Sequence, residues 1–160
     1  MEAPAETRFL SLYQTLRADA DQAQVDLGKA IAAHSAEPRP QSVRALNGTY
    51  TKVAEFGDDQ RPRAGSIVLV ATDCTDPGEE DGFNKWYNEV HVHEVMAHRK
   101  HSGCARYVAL NAKSWQAKYV VVYENPNDDA GQSRGPIPPT LSKTPKSLRM
   151  WCNIPYRRIT

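Results

Sequence analysis

No run of apolar residues in this chain approaches the roughly 20 that a membrane-crossing helix needs. The opening residues, MEAPAETRFL, lack the apolar stretch of a secretion signal, so no signal peptide is expected. Cysteine is scarce. Cys74, Cys104 and Cys152 are odd in number and show no C-x-x-C spacing, which argues against a disulfide framework or a zinc ribbon and points to a reducing cytoplasm. Charge of one sign is lacking too: 20 Lys and Arg against 19 Asp and Glu leave a net +1. That balance offers no general electrostatic attraction for nucleic acid or an anionic membrane. There is no G-x-S-x-G, no phosphate-binding glycine loop and no dinucleotide fingerprint, which argues against nucleotide chemistry. No internal repeat is present.

What is present suits one globular domain with an extension. The chain has 160 residues, 40% of them hydrophobic and 24% charged, enough to bury a real core. Residues 1–60 read as a mainly helical N-terminal extension. Within them, 4–33 have helical composition with an apolar stripe of Phe9, Leu12, Tyr13 and Leu16, divided near Asp19 or Asp21. Pro38 and Pro40 mark a linker, and the run Tyr50 to Phe56 after Asn47 and Gly48 suits a short edge strand. Residues 61–160 carry the main strands. Ser66–Thr72 (SIVLVAT) and Lys118–Tyr123 (KYVVVY) are nearly continuous in apolar, largely β-branched residues, the pattern of strands covered on both faces. Cys104–Leu110 reads as another strand, forming a hairpin with Lys118–Tyr123. Leu148–Ile159 suits a last strand, with Pro155 marking an edge or a bulge. Between them, residues 125–146 are rich in proline and glycine, which suggests an irregular segment or a flap over a pocket.

The stretch FNKWYNEVHVHEVMAHRKHSGCARY, Phe83 to Tyr107, gathers most of the groups capable of chemistry. The turn residues Asp76, Pro77 and Gly78 precede it, and no proline or glycine interrupts it before His98. Phe83, Trp86, Tyr87, Val90 and Ala97 recur at helical spacing and are expected to face the core. Tyr87 and His91, four residues apart, fall on one side of that helix. Gly103 is expected to end it.

The string from Asn84 to Tyr107, in the pattern N-x-W-Y-x-E-V-H-V-x-E-V…G-x-A-R-Y, resembles the first helix and second strand of EthD-like proteins. These belong to the dimeric α/β-barrel, or ferredoxin-like, superfamily, and the resemblance spans roughly Ser66 to Glu124. It implies an α+β fold: a βαββαβ domain with an antiparallel sheet, pairing with a second copy to enclose a small-molecule pocket. Similar proteins include cofactor-free decarboxylases, polyketide cyclases and monooxygenases. The motif's histidine falls on His91.

His91 is accordingly the expected general acid/base, since an imidazole titrates near neutrality and needs no cofactor to move a proton. Tyr87 is expected beside it as a catalytic partner. Asp73, at the end of a strand, or Glu94 is expected to orient the ring. Tyr107, Arg106 and Trp86 are the substrate-binding candidates. Tyr107 suits the pocket better than Arg106, which has a surface ion pair as its plainer role, and Trp86, like Trp151, is of a type more often found in cores. The expected activity is decarboxylation or cyclisation of an aromatic or polyketide-like carbonyl compound, in a homodimer. Two other readings stand beside it. One is a non-catalytic small-molecule binding or stress-response protein on the same fold. The other is a metal-dependent enzyme using the row His91, Glu94, His98 and His101. Cys104 near His101 suggests, more weakly, a nucleophile pair.

Overall fold

The computed structural model describes residues 10, 12, 19–34, 48–110, 116–127 and 143–158. Helix α1 (Ala20–His34) starts where Asp19 caps it, its carboxylate accepting from the Gln22 amide at 3.0 Å. The rest of the expected 4–33 helix, apart from Leu10, Leu12 and Asp19, lies outside the described residues. So does most of the 125–146 segment.

Among the described residues five strands follow: β1 (Tyr50–Gly57), β2 (Ser66–Cys74), β3 (Gly103–Ala109), β4 (Tyr119–Asn125) and β5 (Leu148–Arg157). All neighbours pair antiparallel, in the order β1-β3-β4-β2-β5. The two most apolar runs, β2 and β4, lie side by side inside the sheet, as double-sided burial requires. The expected hairpin joins β3 to β4, with Cys104 opposite Tyr123 and Arg106 opposite Val121. The strand carrying Pro155 takes one edge, where its missing donor is tolerated. β1 takes the other edge, so the sheet includes Tyr50–Gly57, a stretch inside residues 1–60. The fold is α+β, and β3-β4-β2-β5 with a helical crossover from β2 to β3 is compatible with a ferredoxin-like class. Among the described residues no helix is long and apolar enough to cross a membrane.

The crossover runs from Glu80 to Arg99 in three consecutive pieces. The Asp76 side chain accepts from the Gly78 amide at 2.8 Å and opens a 3₁₀ turn at Pro77–Glu79. Helix α2 (Glu80–Trp86) follows, then a π-helical turn at Tyr87–His91, then α3 (Val92–Arg99). In the π turn the Val92 amide donates to the Tyr87 carbonyl five residues back, so one extra residue is wound in. That residue shifts the buried face. Phe83 and Tyr87 reach the core as expected, but the next core position is Val92, fully buried, whereas Val90 is 37% exposed and Ala97 is exposed. Lys100, not Gly103, ends the helix, in a left-handed conformation (φ 56°) with the His101 amide returning to the Met96 carbonyl. Gly103 instead opens β3, where Arg61 lies so close that any Cβ would collide with its side chain.

Alternation along the strands gives the sheet two different faces. Val68, Val70, Cys104, Tyr119, Val121 and Tyr123 face the crossover helix and meet Phe83, Tyr87 and Val92. Leu69, Ala71, Val122 and Cys152 point the other way, flanked by half-buried Ile67, Tyr107, Val120, Ile154 and Tyr156.

Candidate functional site beneath the crossover helix

The π turn brings Trp86, Tyr87 and His91 together. Residues five apart sit nearly above one another in such a turn, and the His91 ring accordingly stacks on Trp86, with centroids 4.5 Å apart and planes at 25°. Tyr87 meets the same imidazole edge-on at 4.8 Å. Among the described residues no group hydrogen-bonds to either imidazole nitrogen. Burial between the two aromatic rings lowers the His91 pKa from 6.5 to about 4, with Arg106 adding to the fall and Glu94 opposing it. At neutral pH the imidazole is therefore uncharged and has a nitrogen lone pair available.

Tyr87 is 1% exposed. Burial pushes its phenol up to about 12, so it stays protonated. The nearby Tyr123 hydroxyl opposes that rise, yet meets no partner at good hydrogen-bond geometry among the described residues. Behind Tyr87 lies Arg106, its guanidinium carbon 4.2 Å from the centre of the tyrosine ring. One terminal nitrogen of Arg106 donates to Asn84 Oδ1 at 3.1 Å and the other to Asn88 Oδ1. The Asn84 amide donates in turn to the Tyr119 hydroxyl at 2.9 Å, and that hydroxyl donates to Glu80, which pairs with the surface ammonium of Lys118. A polar chain thus leads from the surface to a cation only 1% exposed. Arg106 Nε finds no hydrogen-bond partner, and no carboxylate touches the guanidinium among the described residues. Among the described residues, amides and ring faces meet its burial cost.

This placement corrects several expectations. Arg106 makes no surface ion pair; it is buried beneath the helix. Tyr107, its neighbour, necessarily points to the other face and lies among the half-buried residues there. Asp73 does not orient His91. Val68, Val70 and Thr72 share the helix side, so Asp73 falls on the opposite side, where it accepts from the Lys118 amide at 2.6 Å and from Trp151 Nε1 at 2.5 Å. Trp86 touches His91, so of the six site candidates the structure unites His91, Tyr87, Trp86 and Arg106 and separates Asp73 and Tyr107.

The histidine row does not survive as a metal site. Among the described residues no three His, Cys, Asp or Glu side chains converge on one point. The π turn breaks the regular helical phase, and His101 lies beyond the helix end, with Nδ1 2.6 Å from Asn125 Oδ1 and its ring stacked on Tyr123. Cys104 is no nucleophile either: it is fully buried and its thiol is pushed up to about 12.

Asn84, Asn88 and Tyr119 complete the site without having been singled out in the sequence. The signal for the first two was present. They are polar residues four apart, flanking Tyr87 on the segment expected to face the core.

A groove of about 610 Å³ lies elsewhere. Its walls include Glu55, Arg61, Ile67 and Glu124, where Arg61 bridges Glu124 at 2.7 Å and Glu55 at 2.8 Å. Arg63 and Arg158 join Arg61 in its lining against Glu55, Asp59 and Glu124, so the formal charges balance, and the groove lies on the sheet face away from His91. Comparison with family models, with curated proteins and with solved structures finds no match.

The low basicity of His91 has a consequence for stability. The unfolded chain takes up the proton near pH 6.5, the folded one only near 4. Stability is therefore full above pH 6.5 and falls as the pH drops towards 4, by roughly 3 kcal/mol from this group alone. His101, also lowered by burial, acts in the same sense. Urea unfolding at pH 7 and at pH 4 should show wild type losing more stability than His91→Gln. Equal losses would mean that the imidazole is not buried in its neutral form.

Proposed function

We propose that the protein is a cofactor-independent enzyme that moves a proton on an aromatic or polyketide-like carbonyl compound, with His91 as the base. The observation that carries this is a neutral imidazole whose nitrogens no described residue occupies, held in place by aromatic rings. His91 would take a proton from the carbon next to the substrate carbonyl, giving an enolate and an imidazolium; its return to carbon closes the cycle. In the decarboxylating version His91 would first take the proton of the substrate's carboxylic acid. The C–C bond to the carboxylate would then break to release carbon dioxide and an enolate, and the imidazolium formed in the first step would protonate that enolate. An imidazole of pKa about 4 is a weak base while the site is empty, but an enolate forming beside it stabilises the imidazolium and strengthens it.

The same low basicity favours a second reading, a non-catalytic binder of small aromatic molecules. One experiment separates the two. The protein is incubated in D₂O with a panel of aryl 1,3-dicarbonyl and β-keto acid compounds, and loss of the acidic C–H signal is followed by proton NMR. Accelerated exchange supports the enzyme. Line broadening of a ligand without any exchange supports the binder.

The assembly expected in this reading is a homodimer. Tyr107, Val120, Ile154 and Tyr156 lie half-buried on the sheet face away from the crossover helix, and pairing two such faces would remove them from water. Sedimentation at low micromolar concentration should give a particle near twice 17.9 kDa. A monomer persisting at high concentration would rule the pairing out.

A further inference from the structure

We propose that Arg106 is a positioning residue: from strand β3 it grips Asn84 and Asn88 on the crossover helix and, through the face of Tyr87, holds His91 against Trp86. The geometry supports each link. The two asparagines stand on either side of Tyr87 in sequence, one in α2 and one in the π turn. Both accept from the terminal nitrogens of the same planar guanidinium. Between those two contacts the guanidinium covers the Tyr87 ring, and the far side of that chain of contacts is the edge-on meeting of Tyr87 with His91.

Only a fork of rigid donors spans two amides and a ring at once; an ammonium on a flexible stem does not. The lack of a carboxylate partner among the described residues also fits. An Asp or Glu at this point would satisfy the cation by itself and leave the helix ungripped, whereas two neutral amides make the helix part of the cation's shell. Among the described residues, the groups that act on His91 are Trp86, Tyr87 and Glu94 from its own helical segment and Arg106 from β3. Arg106 therefore acts on the imidazole by its charge as well as by position.

The inference rests on His91 being the proton-transferring group, but its test needs no substrate. Arg106→Lys keeps the charge and removes the fork. In NMR spectra of the full chain, the His91 Cε1 proton of wild type should be shifted upfield by the Trp86 ring beneath it, with a titration midpoint far below that of free histidine. In Arg106→Lys the signal should move towards that of an exposed histidine and the midpoint should rise by roughly one pH unit or more, while the sheet amides keep their shifts. A role confined to supporting the helix would lower the melting temperature and leave the His91 signal and midpoint unmoved, which overturns the inference. Asn88→Ala, on the half-buried side of the helix, should move His91 in the same direction by less, and it decides the matter if Arg106→Lys does not fold. A failure here removes the positioning role alone. Absence of exchange with every carbonyl compound removes the proton-transfer reading instead.

Discussion

His91→Ala is expected to slow deuterium exchange into a responsive carbonyl compound by about 10²- to 10⁴-fold, the usual effect of losing a positioned acid/base group. The fold should tolerate the change. His91 is half-buried, stacks on Trp86 from the outer part of the aromatic cluster, and takes part in no hydrogen bond with a described residue. Alanine therefore leaves no buried polar partner stranded, which is the usual origin of large losses. Circular dichroism and thermal melting of the variant serve as the control. A folded variant with nearly full exchange activity would remove His91 from the reaction. His91→Gln adds a second arm, since an amide occupies similar space without accepting a proton at neutral pH. If Gln restores the rate that Ala loses, the ring acts by filling space and not as a base.

Phe83→Ala should cost about 3–5 kcal/mol of unfolding free energy, the range for removing a fully buried aromatic side chain. Phe83 is 2% exposed. Its ring contacts Tyr87 and Tyr119 at 5.6 Å and Trp86 at 6.4 Å, so the helix and the sheet both lose a partner and a cavity opens between them. The informative comparison is Val90→Ala. An unbroken α-helix from Phe83 would bury Val90, and its truncation would then be costly. With the π turn Val90 stands 37% exposed, and the change should stay within about 0.5 kcal/mol. Chemical denaturation of both variants checks this. A large loss at Val90 would show that the π turn is absent and the helical phase regular.

The nature of the elements was legible in the sequence because each rests on a local pattern. The runs in β2 and β4 are apolar at consecutive positions, and only the interior of a sheet covers both faces of a strand. Pro155 restricts its strand to an edge. Asp76, Pro77 and Gly78 announce the start of the crossover helix, and the absence of a breaker as far as His98 fixes its length. The placement of Tyr87 and His91 on one side could also be read from their spacing, whereas Trp86, five residues from His91, joins them through the π turn.

Tertiary structure alone decided the rest, for reasons that act between segments. The π turn adds one residue to a helix whose sequence holds no glycine or proline at that point, and nothing local distinguishes it from an ordinary turn. Its effect appears only in which side chains meet the sheet: Val92 in place of Val90. Asp73 fell on the wrong face because strand phase is set by pairing register, and a one-residue difference reverses every side chain. The same rule sent Arg106 beneath the helix and Tyr107 to the far side. No local pattern announces a buried arginine. Its surroundings, Asn84, Tyr87 and Asn88 from the crossover helix and Tyr119 from β4, lie far from β3 in the sequence and exist as a site only once the sheet is formed and the helix is laid across it.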